Sequence, residues 1–137
     1  MTHWIIAPIL IPALAGLLLL LEVRERQRLR RFTGLLSCVA LVPVALVLWQ
    51  QAAQGDVGVY QLGNWQAPFG IVLVLDKLSA LMLLLTALLA LPALLYGCAG
   101  DDRRGANFHA LFQFQLMGIN GAFLTGDLFN LFVFFEV

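Results

Sequence analysis

Four apolar stretches of membrane-crossing length, each free of Asp, Glu, Lys and Arg, fill most of the chain, and a fifth begins near its last residues. The hydrocarbon core of a bilayer is about 30 Å thick and takes about 20 helical residues to cross. Backbone polar groups in lipid must pair within their own segment, so runs of this kind form helices. The first run is Trp4 to Leu21, with Pro8 and Pro12 inside it. The second is Phe32 to Trp49, with Pro43. The third is Leu78 to Tyr96, its span extended to 71–98, and the fourth is Phe108 to Leu124. The fifth starts at Leu128 and is cut short at Val137. The expected fold is all-α. It consists of polytopic transmembrane helices in one region over 1–137, with four full spans at 4–21, 32–49, 71–98 and 108–124 and a truncated fifth at 128–137.

Composition excludes the soluble alternatives. Hydrophobic residues make up 61% and charged residues 12%, where a soluble domain has about 45–50% and about 25%. The net charge of zero gives no electrostatic footprint for nucleic acid. A cleaved signal peptide carries its positive charge ahead of the apolar core. Here Met1-Thr2-His3 has no Arg or Lys and the arginines follow the run, so the first run is read as a retained span.

Charge placement sets the expected topology. Seven of the eight basic residues are arginines, in two clusters: Arg24, Arg26, Arg28, Arg30 and Arg31, then Arg103 and Arg104. Cytoplasmic loops are enriched in Lys and Arg. Loops 22–31 and 97–107 are therefore expected inside, and the N-terminus and loop 50–70 outside. Trp4, Trp49, Tyr60 and Trp65 fall near the outer boundary, as an aromatic belt does. Within the outer loop, Gly55 to Gly63 alternates weakly and reads as a short extended segment or hairpin. Pro68-Phe69-Gly70 reads as a turn into the third span.

The least expected residue is Glu136. A helix started at Asp127, a good N-terminal residue, places Glu136 about 14 Å along its axis, near the bilayer midplane. An ionised acid there costs about 2.5–3.5 kcal/mol on insertion scales, and acids so placed usually face a protein interior or wet cavity and carry function. Burial strengthens a carboxyl's hold on its proton and brings it into a useful range. Glu136 is therefore the candidate proton or cation site. Phe129, Phe132 and Val133 share its face as an apolar collar. Asp127 is no catalytic partner, since nine residues put the two acids on opposite faces about 13 Å apart.

Other polar residues are weaker candidates. Asp76 and Lys77 open the third span near the outer surface, where Asp76 suits a helix cap and Lys77 can snorkel; a place on an ion path is the alternative. His109, at the cytoplasmic end of the fourth span, can relay protons or simply be solvated. Gly118 and Ala122 have small-xxx-small spacing for close helix contact, and Gln113, Gln115 and Asn120 are expected to bond neighbouring helices. Cys38 and Cys98 lie at different depths without metal-ligand spacing. There is no phosphate loop, His/Cys ligand cluster or nucleophile elbow.

The run Thr125-Gly126-Asp127-Leu128-Phe129-Asn130-Leu131-Phe132-Val133-Phe134-Phe135-Glu136-Val137 resembles the fifth transmembrane helix of the D subunit of Mrp-type multisubunit monovalent cation/proton antiporters. Pro68-Phe69-Gly70-Ile71 and Leu75-Asp76-Lys77-Leu78-Ser79-Ala80-Leu81-Met82 resemble the start of its third helix. That family is homologous to the antiporter-like membrane subunits of respiratory complex I. In both, an acid on the fifth helix pairs with lysines of later helices along a buried proton path, and Glu136 matches that acid. The Phe-Phe before Glu136 fits the antiporter branch, because the complex I subunits commonly have Trp before the acid.

The resemblance implies a transporter subunit rather than an enzyme, working with other antiporter subunits in a hetero-oligomeric complex of the cell membrane. It moves protons and monovalent cations such as Na⁺, with no cofactor and no metal. It also implies an N-terminal fragment, because the later lysines are missing from these residues. The alternatives are a proton-pumping subunit of an NADH:quinone oxidoreductase and a non-transporting anchor or assembly subunit.

Overall fold

A computed structural model describes residues 2–22, 25–66, 69–105 and 107–137. Arg24 and Pro68, which figure in the topology and the turn above, lie outside the described residues. Among those described, the elements run α1 (Ala7–Leu21), α2 (Gln27–Ala53), β1 (Gly58–Gln61), β2 (Val72–Leu75), α3 (Lys77–Gly97), α4 (Phe108–Leu124) and α5 (Leu128–Glu136). A 3-10 turn, Thr2–Ile6, leads into α1. The expectation of a polytopic helical chain holds. The segment His3–Leu21 and the helices α2 and α3 are long and apolar enough to cross a membrane. Helix α4, at 17 residues, is about 26 Å long.

Two boundaries move. The third span does not extend to residue 71, because Val72–Leu75 forms a strand antiparallel to Gly58–Gln61, with Tyr60 opposite Leu73. Asp76 then starts the helix by accepting the backbone N–H of Ser79 at 2.6 Å. The second span begins earlier than residue 32, so Arg30 and Arg31 belong to α2 and not to a loop. The extended segment foreseen within 55–63 exists, but it pairs with residues beyond the intervening turn.

Most of the helical surface is apolar on every side, so hydropathy alone says little about which face turns inward. Residue size does. The buried positions of α3 are Ala80, Leu83, Ala87, Ala90, Leu94 and Gly97, a repeat of 3.5 residues and the seam of closely packed helices. Four of these six are Ala or Gly, which lets backbones approach. Helix α2 buries Gly34, Ser37, Cys38, Leu41, Val44, Ala45, Leu48 and Ala52. The large residues Leu14, Leu18, Phe32, Leu36, Leu88 and Leu89 lie outside, the arrangement expected where lipid is the solvent.

Two clusters form the core. One joins Ile5, Val44, Leu48, Leu73, Leu75, Leu83 and Leu124 beneath the strands, and the other joins Cys38, Leu41, Ala45, Ala87, Leu94 and Leu116. The strands close one end of the bundle. Leu73 bridges to Thr125, and the N–H of Gly126 donates to the Val72 carbonyl at 2.9 Å. A Cβ on Gly126 would meet Val74 at 2.6 Å, so the turn between α4 and α5 fits against β2 only without a side chain.

Helices α1 and α4 meet closely: a Cβ on Gly16 would lie 2.9 Å from the Phe114 ring. Their main polar contact follows from Pro12. A proline has no N–H, so the carbonyl four residues earlier loses its helical partner. That carbonyl belongs to Pro8, and the buried amide of Asn120 donates to it at 2.8 Å. Asn120→Leu should therefore destabilise the purified protein in detergent by about 1 kcal/mol, within the range of membrane hydrogen bonds. In a Pro12→Ala background the restored N–H can serve the Pro8 carbonyl, and the same substitution should cost measurably less by denaturant unfolding. An equal cost in both backgrounds would show that the pairing is incidental.

Candidate functional site

Helix α5 starts at Asp127, whose carboxylate accepts the N–H of Phe129 at 3.1 Å, the cap expected from sequence. Its more buried residues are Asn130, Leu131 and Phe134, and its exposed ones are Leu128, Phe129, Phe132, Val133, Phe135 and Glu136. Phe129, Phe132, Val133 and Glu136 follow i, i+3, i+4, i+7 spacing and share one side of the helix as foreseen, but these residues are all exposed and do not enclose the acid. Glu136 is exposed, turned away from α4. An ionised acid on an apolar helix face is costly wherever that face meets lipid.

The other polar site lies at the opposite end of the bundle, and its centre, Asp102, was not a candidate. Asp102 sits in a 3-10 turn, Asp101–Arg103, with its side chain fully buried. Its Oδ2 accepts from Arg31 Nε at 2.6 Å and from Gln27 Nε2 at 2.9 Å; its Oδ1 accepts from Arg31 Nη2 at 3.0 Å. His109 Nε2 lies 3.1 Å from Oδ2. A carboxylate can only accept here, so the contact assigns the ring proton to Nε2. The Arg31 hydrogen bonds hold the Asp102 carboxyl well below the usual carboxylate range, against the opposing effect of burial, and Gln27 and His109 add to them.

His109 is therefore not a solvated interfacial histidine. It is 2% exposed and belongs to a polar strip between α2 and α4. One turn further along α4, Gln113 accepts from Ser37 Oγ at 2.8 Å and donates to the Gly34 carbonyl at 3.2 Å. The expected role of Gln113 in bonding a neighbouring helix is met.

Cys98, Asp102 and His109 also bring their ligating atoms within 4.8 Å of one another, although their spacing suggested no metal site. The hydrogen bonds favour a clamp. Arg31, Gln27 and His109 all converge on one oxygen of Asp102. Ligation through His109 Nε2 would move the ring proton to Nδ1, which is buried with no hydrogen-bond partner among the described residues. A metal-bound histidine normally donates its other N–H to an acceptor.

Asp76 and Lys77 are not near this cluster. They open α3 at the strand end, and α3, of 21 residues, separates them from residue 98 by about 31 Å. Asp76 acts as the helix cap. The structure thus brings His109 together with Asp102 and Arg31, and leaves Asp76, Lys77 and Glu136 elsewhere.

No family model matches the chain. Relatives and solved structures do. The chain is 53% identical over 98% of its length to a Rhizobium meliloti protein named as the D subunit of a probable K(+)/H(+) antiporter. It is 41% identical over its whole length to the D subunit of the Na(+)/H(+) antiporter of Alkalihalophilus pseudofirmus. It superposes on a chain of the Mrp complex from Dietzia sp. DQ12-45-1b with a TM-score of 0.86, at 33% identity over 99% of its residues. The chain belongs to the family of Mrp antiporter D subunits. It spans 26% and 28% of those two relatives, about a quarter of their length. It also superposes, with a TM-score of 0.89 and 23% identity, on a chain of the membrane-bound sulfane sulfur reductase, an archaeal respiratory membrane complex. That likeness shows a shared fold. A multi-pass membrane protein follows from the family and from the apolar helices together.

The clamp left one trace in the sequence. Asp101 and Asp102 precede Arg103 and Arg104, and an acid inside an arginine-rich loop signals an internal ion pair. Reading that loop for net charge hides it. Asp102→Asn should lower the unfolding midpoint of the purified protein by several degrees, because it leaves Arg31 without its anion. The folded carboxyl lies below the unfolded value of about 3.9, so the clamp's contribution is complete above that pH and is lost as pH falls through the folded value. The difference between wild type and variant should stay constant from about pH 7 to about pH 9 and shrink below about pH 4. A difference that disappears near neutral pH instead would contradict the assignment.

Proposed function

We propose that this chain forms part of the membrane subunit of a monovalent cation/proton antiporter, in which Glu136 gains and loses the translocated proton. The observation that carries the reading is the outward face of α5: a single acid among Phe129, Phe132 and Val133, in a chain that matches an antiporter D subunit along its whole length. A carboxyl can hold a proton or pair with a cation but not both at once, so one group can serve both ions in turn. Coupling of proton release to cation movement would be antiport. The cation is a monovalent one, since relatives are named for K⁺ and for Na⁺. The partners would be the other subunits of a hetero-oligomeric membrane complex, and the chain would act as a transporter component and not as an enzyme.

The arginine clusters support an orientation with residues 97–107 inside and the N-terminus outside. With Cys38 and Cys98 replaced by Ser, a membrane-impermeant thiol reagent applied from outside should label Asp56→Cys and spare Gly105→Cys. The reverse pattern would invert the topology. In the full-length subunit within its complex, Glu136→Gln keeps shape but removes titration. Cation-driven proton movement in membrane vesicles should then be lost with assembly retained. Normal exchange by that variant would sink the proposal, and a proton-pumping role coupled to quinone reduction would instead require redox activity in the same complex.

A further inference from the structure

The two ends of α5 are held differently, and the contact nearer Glu136 is made by glycines. At its start, Thr125 and Gly126 are bonded to β2. Further along, Phe134 lies in a notch in α4. A Cβ on Gly121 would overlap the Phe134 ring, and one on Gly118 would come 2.9 Å from the Phe134 carbonyl oxygen. The pair foreseen for close contact was Gly118 and Ala122; both line the groove against Phe134 and Phe135, and Gly121 joins them. At 100° per residue, Glu136 projects about 200° from Phe134, nearly opposite to the notch. A shift of α5 away from the notch would therefore move Glu136 along its own direction of projection.

We infer that Gly121, with Gly118, is a positioning residue for Glu136: the notch sets how far the acid stands out from α4 toward whatever faces it. This rests on the reading of Glu136 as the titrating group. Proton transfer and charge pairing depend steeply on distance, and a displacement near 1 Å can cost about a hundredfold in rate. The glycines act through the backbone of α5 and touch no transported ion.

The test uses the full-length subunit in its complex, with exchange in membrane vesicles measured against pH and normalised to assembled complex. Gly121→Ala should lower the rate per complex roughly ten- to hundredfold and displace the pH of half-maximal exchange. Phe134→Leu, which makes room for the new methyl group, should restore both in the double variant. A wild-type rate and pH profile per complex in Gly121→Ala would overturn the proposal, and so would a lower amount of complex that works normally. If Gly121→Ala fails to assemble, Phe134→Leu alone decides: a displaced pH profile upholds the positioning role and an unchanged one overturns it. Glu136→Gln separates the two readings. Normal exchange there removes the Glu136 assignment and this inference with it; loss there, beside wild-type behaviour in Gly121→Ala, removes the positioning role alone.

Discussion

The absence of water from the bilayer core governs the rest of this structure. Every polar group placed there must find its partner inside the protein. Pro12 shows the consequence most directly. It deprives the Pro8 carbonyl of its helical donor, and Asn120 of α4 supplies the replacement. A local defect in α1 thereby specifies which helix lies against it and at what height. Ser37 and Gln113 tie α2 to α4 in the same way.

With no water to expel, apolar surface alone does not select a partner, so close fit must do so. Glycine and alanine carry that role. Gly16 receives Phe114, Gly97 receives Phe108 and Gly121 receives Phe134. Each pairs a missing side chain on one element with an aromatic ring on another. These contacts order the helices laterally, while the polar pairs fix their heights. The strands β1 and β2 then close one end, and the Asp102 clamp gathers α2, the loop after α3 and α4 at the other. The chain is thus pinned at both ends, with α5 resting against α4 and its acid turned outward.

Much of this was legible from residue order. Helix α4 occupies the predicted range, and Asp127 and Asp76 serve as caps. The face shared by Glu136, Phe129, Phe132 and Val133 follows from helical periodicity alone. What failed did so for identifiable reasons. Residues 72–75 are apolar enough for a helix, but their hydrogen bonds go to 58–61, a pairing between segments separated by a turn. His109 looked solvated because its partner Asp102 lies in a loop whose charges point, by composition, to the membrane surface.

The sequence by itself determined that the chain is built of membrane-length apolar helices and roughly where each lies, because transfer from water to lipid depends on each segment's own residues. Tertiary structure decided which helices touch, that Asp102 rather than a lone histidine organises the far end, and which way Glu136 points. Those outcomes depend on fit between surfaces that are mostly apolar and on hydrogen bonds between residues as far apart as Pro8 and Asn120. Such relations exist only once the helices are packed.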